Sequence, residues 1–280
     1  SVSASYSSLP GEVLYGVKIA AEKTELIVAA VIGSKEDEVT TILKHASTRV
    51  DEYQRSESTE QATEAIKSLK KKIESTQESL DNASQSSSET AVAVAKVVEK
   101  KTEEILETLA GTEKTQEGQT LSSDDAQKEI SETQLKKEVV EAEALIQKAG
   151  IEAIGVLVEK VEKGGSEDIV SYEEVKDTIN RKLDKLASDV SKLDLTVGQT
   201  SQKASSTIAI MTATSTALLG SQTAEEAVKA AEKVVSSTEN IIVKVEEAAQ
   251  KVVEANKKVE ETKTDVKNLI DQNNLTAALD

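Results

Sequence analysis

The sequence predicts an all-α protein, an extended bundle of long antiparallel helices with coiled-coil-like packing. Three observations carry that expectation. Phe, Trp and Cys are absent from the 280 residues, and Pro, His and Met occur once each. Aromatic side chains ordinarily supply much of a core's buried area, so here Val, Ile, Leu and Ala must supply it. The single proline is Pro10, which leaves the chain after it without a residue that breaks helices. Finally, the apolar residues recur at helical spacing, with a sustained heptad near the C-terminus.

Helix starts are marked by capping boxes, in which a Ser or Thr hydroxyl takes an orphan amide and an acid or Gln three residues on reaches back. Ser34 to Asp37, Ser58 to Gln61, Ser86 to Glu89, Ser122 to Asp125, Ser171 to Glu174 and Thr223 to Glu226 fit the pattern. They predict helices over about 12–32, 35–56, 59–82, 88–110, 123–163, 172–195, 202–219 and 224–273, with the second and third open to fusion into one. The polar, glycine-bearing stretch 111–123 has no apolar rhythm and reads as a linker. It separates an N-terminal helical domain, 1–110, from a C-terminal long-helix bundle, 124–280.

The last helix carries a seam whose members include Val234, Ile241, Val245, Val252, Val259, Val266 and Leu269, alternating steps of four and three. At about 1.5 Å per residue a helix of about 50 residues is a rod of roughly 75 Å. Its wide stripe predicts packing against a partner helix or another copy. In the 135–161 stretch, Leu135, Val139, Ala142, Ile146, Ala149, Ala153 and Val156 form one seam, and Leu145, Ile151, Ile154, Leu157, Val158 and Val161 spread around the rest of the cylinder. A helix apolar on nearly all sides is expected at a bundle's centre. Gly150 and Gly155 are expected to permit close helix approach.

The balance of 34 basic and 51 acidic side chains gives a net charge of −17, with signs interspersed. Such a surface repels nucleic acid and anionic lipid. The uncharged stretch 204–224 holds nine Ser or Thr in 21 residues, too polar to span a bilayer, and no signal peptide is recognisable. The opening Ser1 suggests a processed or trimmed start.

Catalytic and metal chemistry find little support. His45 is the one imidazole, with Ser47, Thr48 and Asp51 close in sequence, and reads as a solvated helix residue. The acidic runs 36–38, 124–125, 173–174 and 225–226 fall in first helical turns, where they offset the macrodipole. The pair Gly164-Gly165 and the spacing Gly150 to Gly155 lack the Lys-Ser/Thr of a phosphate loop. The triplet Lys70–Lys72 reads as a solvated face. Hence no enzyme activity, cofactor or metal is expected.

Residues 9–18 read Leu9-Pro10-Gly11-Glu12-Val13-Leu14-Tyr15-Gly16-Val17-Lys18. The run resembles the opening of a bacterial helical domain family whose members begin with LPG-acid-x-LY-x-x-K. Leu9, Pro10, Gly11, Leu14, Tyr15 and Lys18 carry the likeness, with Glu22 further on, while Glu12 stands where Asp is usual and Gly16 where Pro is usual. The likeness covers roughly residues 8–56 and fades by about 110. It implies an extracytoplasmic setting behind a removed signal or anchor segment, membrane association through that segment alone, and for some members an anti-sigma-like system. Physically, Pro10-Gly11 turns the chain and Leu14 with Tyr15 is expected to anchor the helix end in a bundle.

The leading expectation is therefore a non-enzymatic structural or interaction protein outside the cytoplasm, secreted or at a bacterial cell surface. It is expected to self-assemble into an oligomer or filament, or to bind partner helices, with no nucleic acid involved. The alternative is a sensor or regulatory ectodomain of a membrane-associated signalling system.

Overall fold

A computed structural model describes residues 5–116, 126–163, 170–188, 247, 250–272 and 274–279, and the side chains of 112–116, 126–130 and 279 are outside the description. Among the described residues the regular structure is helical, as expected: α1 Tyr15–Ile32, α2 Lys35–Arg55, α3 Thr59–Ser84, α4 Ser88–Gln116, α5 Ala126–Glu162, α6 172–188, α7 250–271 and α8 Leu275–Leu279. The stretches 35–56 and 59–82 are two helices, because Ser58 accepts a hydrogen bond from Gln61 N and starts α3 afresh.

The cap signals are read out with small shifts. Ser34 and Asp37 form the complete box at α2, each bonding the other's backbone amide, and Ser171 accepts from Glu174 N at 3.2 Å before α6. At α4 the cap is Ser87, bonded by Thr90 N at 3.3 Å, one residue beyond the expected Ser86. α1 begins at Tyr15 and not at 12, because Glu12 turns its carboxylate back onto Leu9 N at 2.8 Å and stays outside the helix. The boxes at 122 and 223 lie outside the described residues.

The chain divides into two compact units, 1–175 and 176–280. The boundary expected at 111–123 is not where the division falls: α4 runs on to Gln116, and α4 and α5 pack together within the first unit. In that unit α2 packs on α3 and α4, α5 packs on the same two, and α3 meets α4 across the diagonal. Cross-contacts set the directions. Lys70, Gln77 and Lys160 link α3 to α5 through Glu138, Glu152 and Ser84, so those two run parallel. The core is a stack of seams: Val39, Ile42, Leu43, Ala46 and Val50; Ile66, Leu69, Ile73 and Leu80; Val94, Val98, Ile105 and Leu109; Val139, Ile146, Ala149 and Ala153.

α5 holds a corner of this bundle and not its centre, since Val140 and Ile151 are exposed. Of its two glycines one meets the expectation. A Cβ on Gly150 would lie 2.9 Å from Thr102 Oγ1 of α4, whereas one on Gly155 would enter open space. Lys70 is not a solvated lysine either, for it pairs with Glu138 at 3.1 Å and Glu141 at 2.6 Å.

In the second unit α7 runs antiparallel to α6, joined by Lys263–Asp184 at 2.8 Å and Lys176–Asp271 at 4.0 Å. Of the C-terminal seam, Val266 is buried and Val252, Val259 and Leu269 are half-buried, so this part of the stripe is at least partly covered within the chain. Val234, Ile241 and Val245 lie outside the described residues. Among the described residues no helix is long and apolar enough to cross a membrane.

Candidate functional site

α1 is built against the usual rule. It is an 18-residue helix rich in Val, Ile and Ala, yet its buried residues are Lys18 and Glu22. Tyr15, Lys18, Glu22 and Glu25 recur at steps of three and four, which sets them on one face, and that face is turned to α2. Opposite them on α2 stand Glu52, Arg49 and His45, descending at the same steps because Gly33 and Ser34 reverse the chain between the two helices. A Cβ at Gly33 would fall 2.6 Å from Ala29 O, so the tight reversal depends on that glycine.

The result is a buried ion cluster. Lys18 Nζ lies 2.5 Å from Glu52 Oε1, and Arg49 reaches Glu52 Oε2 at 2.9 Å and also Glu22. The Arg49 guanidinium donates to Tyr15 Oη and lies 5.6 Å from that ring's centroid, within cation–π range. Tyr15 Oη in turn donates to Glu52 Oε2 at 3.2 Å. Lys18 Nζ makes a longer contact of 3.4 Å to Ser8 O, tying in the segment before the helix. Arg49 and Glu52 are 0% exposed and Lys18 1%. Two cations face two carboxylates, so the cluster is neutral, the condition under which buried charge is tolerated.

Burial pushes the Tyr15 hydroxyl well above its ordinary range, with Glu52 acting in the same direction against Arg49, so the phenol stays protonated and donates. At the far end of the face His45 Nε2 meets Glu25 Oε2 at 3.1 Å. Burial lowers the His45 pKa, with Lys72 adding to it against the pull of Glu25 and Glu22. Lys72 of α3 is half-buried beside the cluster, its pKa lowered by burial and by Arg49 and Lys23, against Glu22.

Several expectations change here. His45 is buried and bound to Glu25, not solvated. Ser47 and Thr48 spend their hydroxyls on Leu43 O and Lys44 O of their own helix, so they are not aligned with the imidazole as nucleophiles. Of the motif residues, Leu9 and Pro10 are buried, and Gly11 takes a φ of +87°, the left-handed turn that favours glycine. Tyr15 and Lys18 provide the anchoring, whereas Leu14 is exposed and does not. Arg49, Glu52 and Glu25 do not stand out as functional residues in the sequence. The signal available is the polar series 15, 18, 22 and 25, which shares one helix face and needs a partner.

The opposite face of α1 is apolar and exposed. Val17, Ile27, Val28, Val31 and Ile32 lie on it, with Val13 in the turn just before the helix, and Val31 and Ile32 are 77% and 81% exposed. An exposed apolar strip of this extent marks an interaction surface more often than an accident of composition. Among the described residues no group of three or more His, Cys, Asp or Glu side chains is gathered to hold a metal ion. Compared with protein-family models, with curated proteins and with solved structures, the chain has no match.

Proposed function

We propose that the chain is a non-enzymatic helical interaction protein that works outside the cytoplasm and assembles through helix faces. One observation carries the reading: α1 buries its charged face in ion pairs and leaves its apolar face in water. Removing apolar surface from water is worth about 25 cal/mol per Å². A helix held so that this gain is forgone within the chain is positioned to realise it with another helix. The setting outside the cytoplasm rests on the likeness of residues 9–18 to the LPG-acid-x-LY-x-x-K family. The reading shifts the emphasis of assembly from the C-terminal seam to the N-terminal helix, because Val252, Val259, Val266 and Leu269 are drawn at least partly into their own unit.

The test is light scattering with electron microscopy on one sample of the purified chain over rising concentration. Ordered oligomers or fibres support assembly. A monomer of constant mass throughout overturns it. Fractionation of bacterial cells that carry the full gene tests location, and recovery from the cytosol alone overturns that part.

A further inference from the structure

The occupant of α1's outer face can be read from the order of residues along it, granted the interaction reading above. Val13, in the turn before α1, is followed along the centre of that face by Val17, Ala20, Thr24, Ile27 and Val31, all exposed and separated in sequence by steps of four, three, four, three and four. Both the spacing and the sizes read the same from either end. Two large residues, two small ones and two large ones follow in turn, with Val17 mirroring Ile27, Ala20 mirroring Thr24 and Val13 mirroring Val31 about position 22. In a pair that is two-fold about residue 22, each seam residue therefore meets another seam residue, i on j and j on i, and the patch is self-complementary, as an isologous interface has it. We propose that the face is covered by α1 of a second copy of this chain, antiparallel and two-fold about residue 22. Val17 then packs on the second copy's Ile27, and Ala20 on its Thr24. The small pair at the centre lets the backbones approach, and the β-branched ends fill the flanks as knobs in holes.

Charge leaves this face open to the same occupant. At −17 the chain repels its own copies over most of its surface. The positions bordering the seam are Leu14, Gly16, Ala21, Lys23, Val28 and Ala30, with Glu12 beside Val13 at the outer end, its carboxylate turned back onto Leu9 N, so the one charge along the middle is a lysine whose stem reaches solvent. No carboxylate is buried when two such faces meet. A lipid surface fits less well: amphipathic membrane helices use a free basic flank, and here Lys18 and Arg49 are enclosed in ion pairs. Residues 13–32 make a strip about 30 Å long, which places the pair at the low end of specific interfaces, about 1,200 Å² or less in total. The dimer should therefore form and dissociate at roughly micromolar concentration or above.

The chain has no cysteine, so single Val17→Cys and Ile27→Cys variants give clean cross-links. Both positions are exposed, and circular dichroism should be unchanged. Under mild oxidation the two variants mixed should yield a disulfide-linked dimer, and neither alone should. Like positions lie about 15 Å apart along the antiparallel pair, too far for a disulfide. Sedimentation of the parent chain should show a doubling of mass with concentration, lost in Val17→Glu/Ile27→Glu. Homodisulfides from the single variants would mean a parallel pair and overturn the proposal, as would an absence of cross-links in the mixture. Assembly that persists in the double Glu variant would overturn this inference and leave the interaction reading standing. A monomer at every concentration would overturn self-assembly and this inference together.

Discussion

The α1–α2 contact and the α2–α5 core are both heptad-spaced helix contacts, and they are filled with opposite chemistry. In the core Leu69, Ile73, Val98 and Ile146 are buried among apolar neighbours. Between α1 and α2 the same spacing places Lys18, Glu22, Arg49 and Glu52. Apolar packing is favourable almost wherever it occurs, so it stabilises without choosing strongly between registers. Buried ions stabilise little in net, because desolvation offsets attraction, but a slip of one helical turn would part Lys18 from Glu52 and Glu22 from Arg49. The core holds the bundle together, and the ion cluster fixes how α1 lies upon it, with its valines outward.

The sharpest way to break the contrast is Arg49→Ala. It leaves Glu22 and Glu52 buried without their shared cation, and stability in urea should fall by about 3–5 kcal/mol. Replacing Lys18, Glu22, Arg49 and Glu52 together by apolar residues of similar volume should restore most of that loss. If the fourfold variant is as unstable as Arg49→Ala, uncompensated charge is not the cause. The core control, Leu69→Ala, should cost about 2–5 kcal/mol through the cavity it leaves, and no change of charge nearby should recover it.

Glycines sharpen the comparison at a smaller scale. Gly150→Ala brings a methyl to 2.9 Å from Thr102 Oγ1 in the tight α4–α5 contact, and should cost about 1–3 kcal/mol. In a Thr102→Ala background most of that cost should vanish. At Gly16 on α1 an added methyl meets open space, and Gly16→Ala should raise stability by about 0.4–1 kcal/mol. Thermal melts of the two single variants should therefore shift in opposite directions.

The smallest expected effect is a slope with pH. Burial holds the His45 pKa below its unfolded value of about 6.5, so the unfolded chain binds the proton first. Stability is then complete above that value and declines as pH falls through it. Glu25, held low chiefly by the hydrogen bond from His45, adds a decline of the same sign further down, as pH drops below the ordinary carboxylate range. Denaturation midpoints of His45→Gln against the parent between pH 7.5 and 5.5 isolate the histidine part. Equal slopes would mean that His45 does not titrate differently on folding.

Much of the helical architecture is legible in the chain. Periodicity and capping residues locate the starts of α1 to α6 to within about three residues, because both signals are local: a hydroxyl three residues before an acid, or a valine every third and fourth position. α4 runs six residues past its expected end, and α8 is not among the expected helices. The departures are tertiary. α5 is apolar on nearly all sides, which points to the centre, yet it sits at a corner with Ile151 in water. His45 reads as solvated and is buried.

The site itself is half visible. The residues from Leu9 to Lys18 stand out as a motif, and the turn at Gly11 follows from its composition. Their use does not follow, because a sequence shows which residues share a helix face and not which face is turned inward. On α1 the apolar rule chooses the valine face, whereas Arg49 and Glu52, far along the chain on α2, choose the other. By itself the sequence determined that the chain is helical, where most described helices begin and which residues share each face. The tertiary structure alone decided that a charged face goes inward, because that depends on paired charges brought together from separate helices, and with it which apolar face of α1 stays exposed.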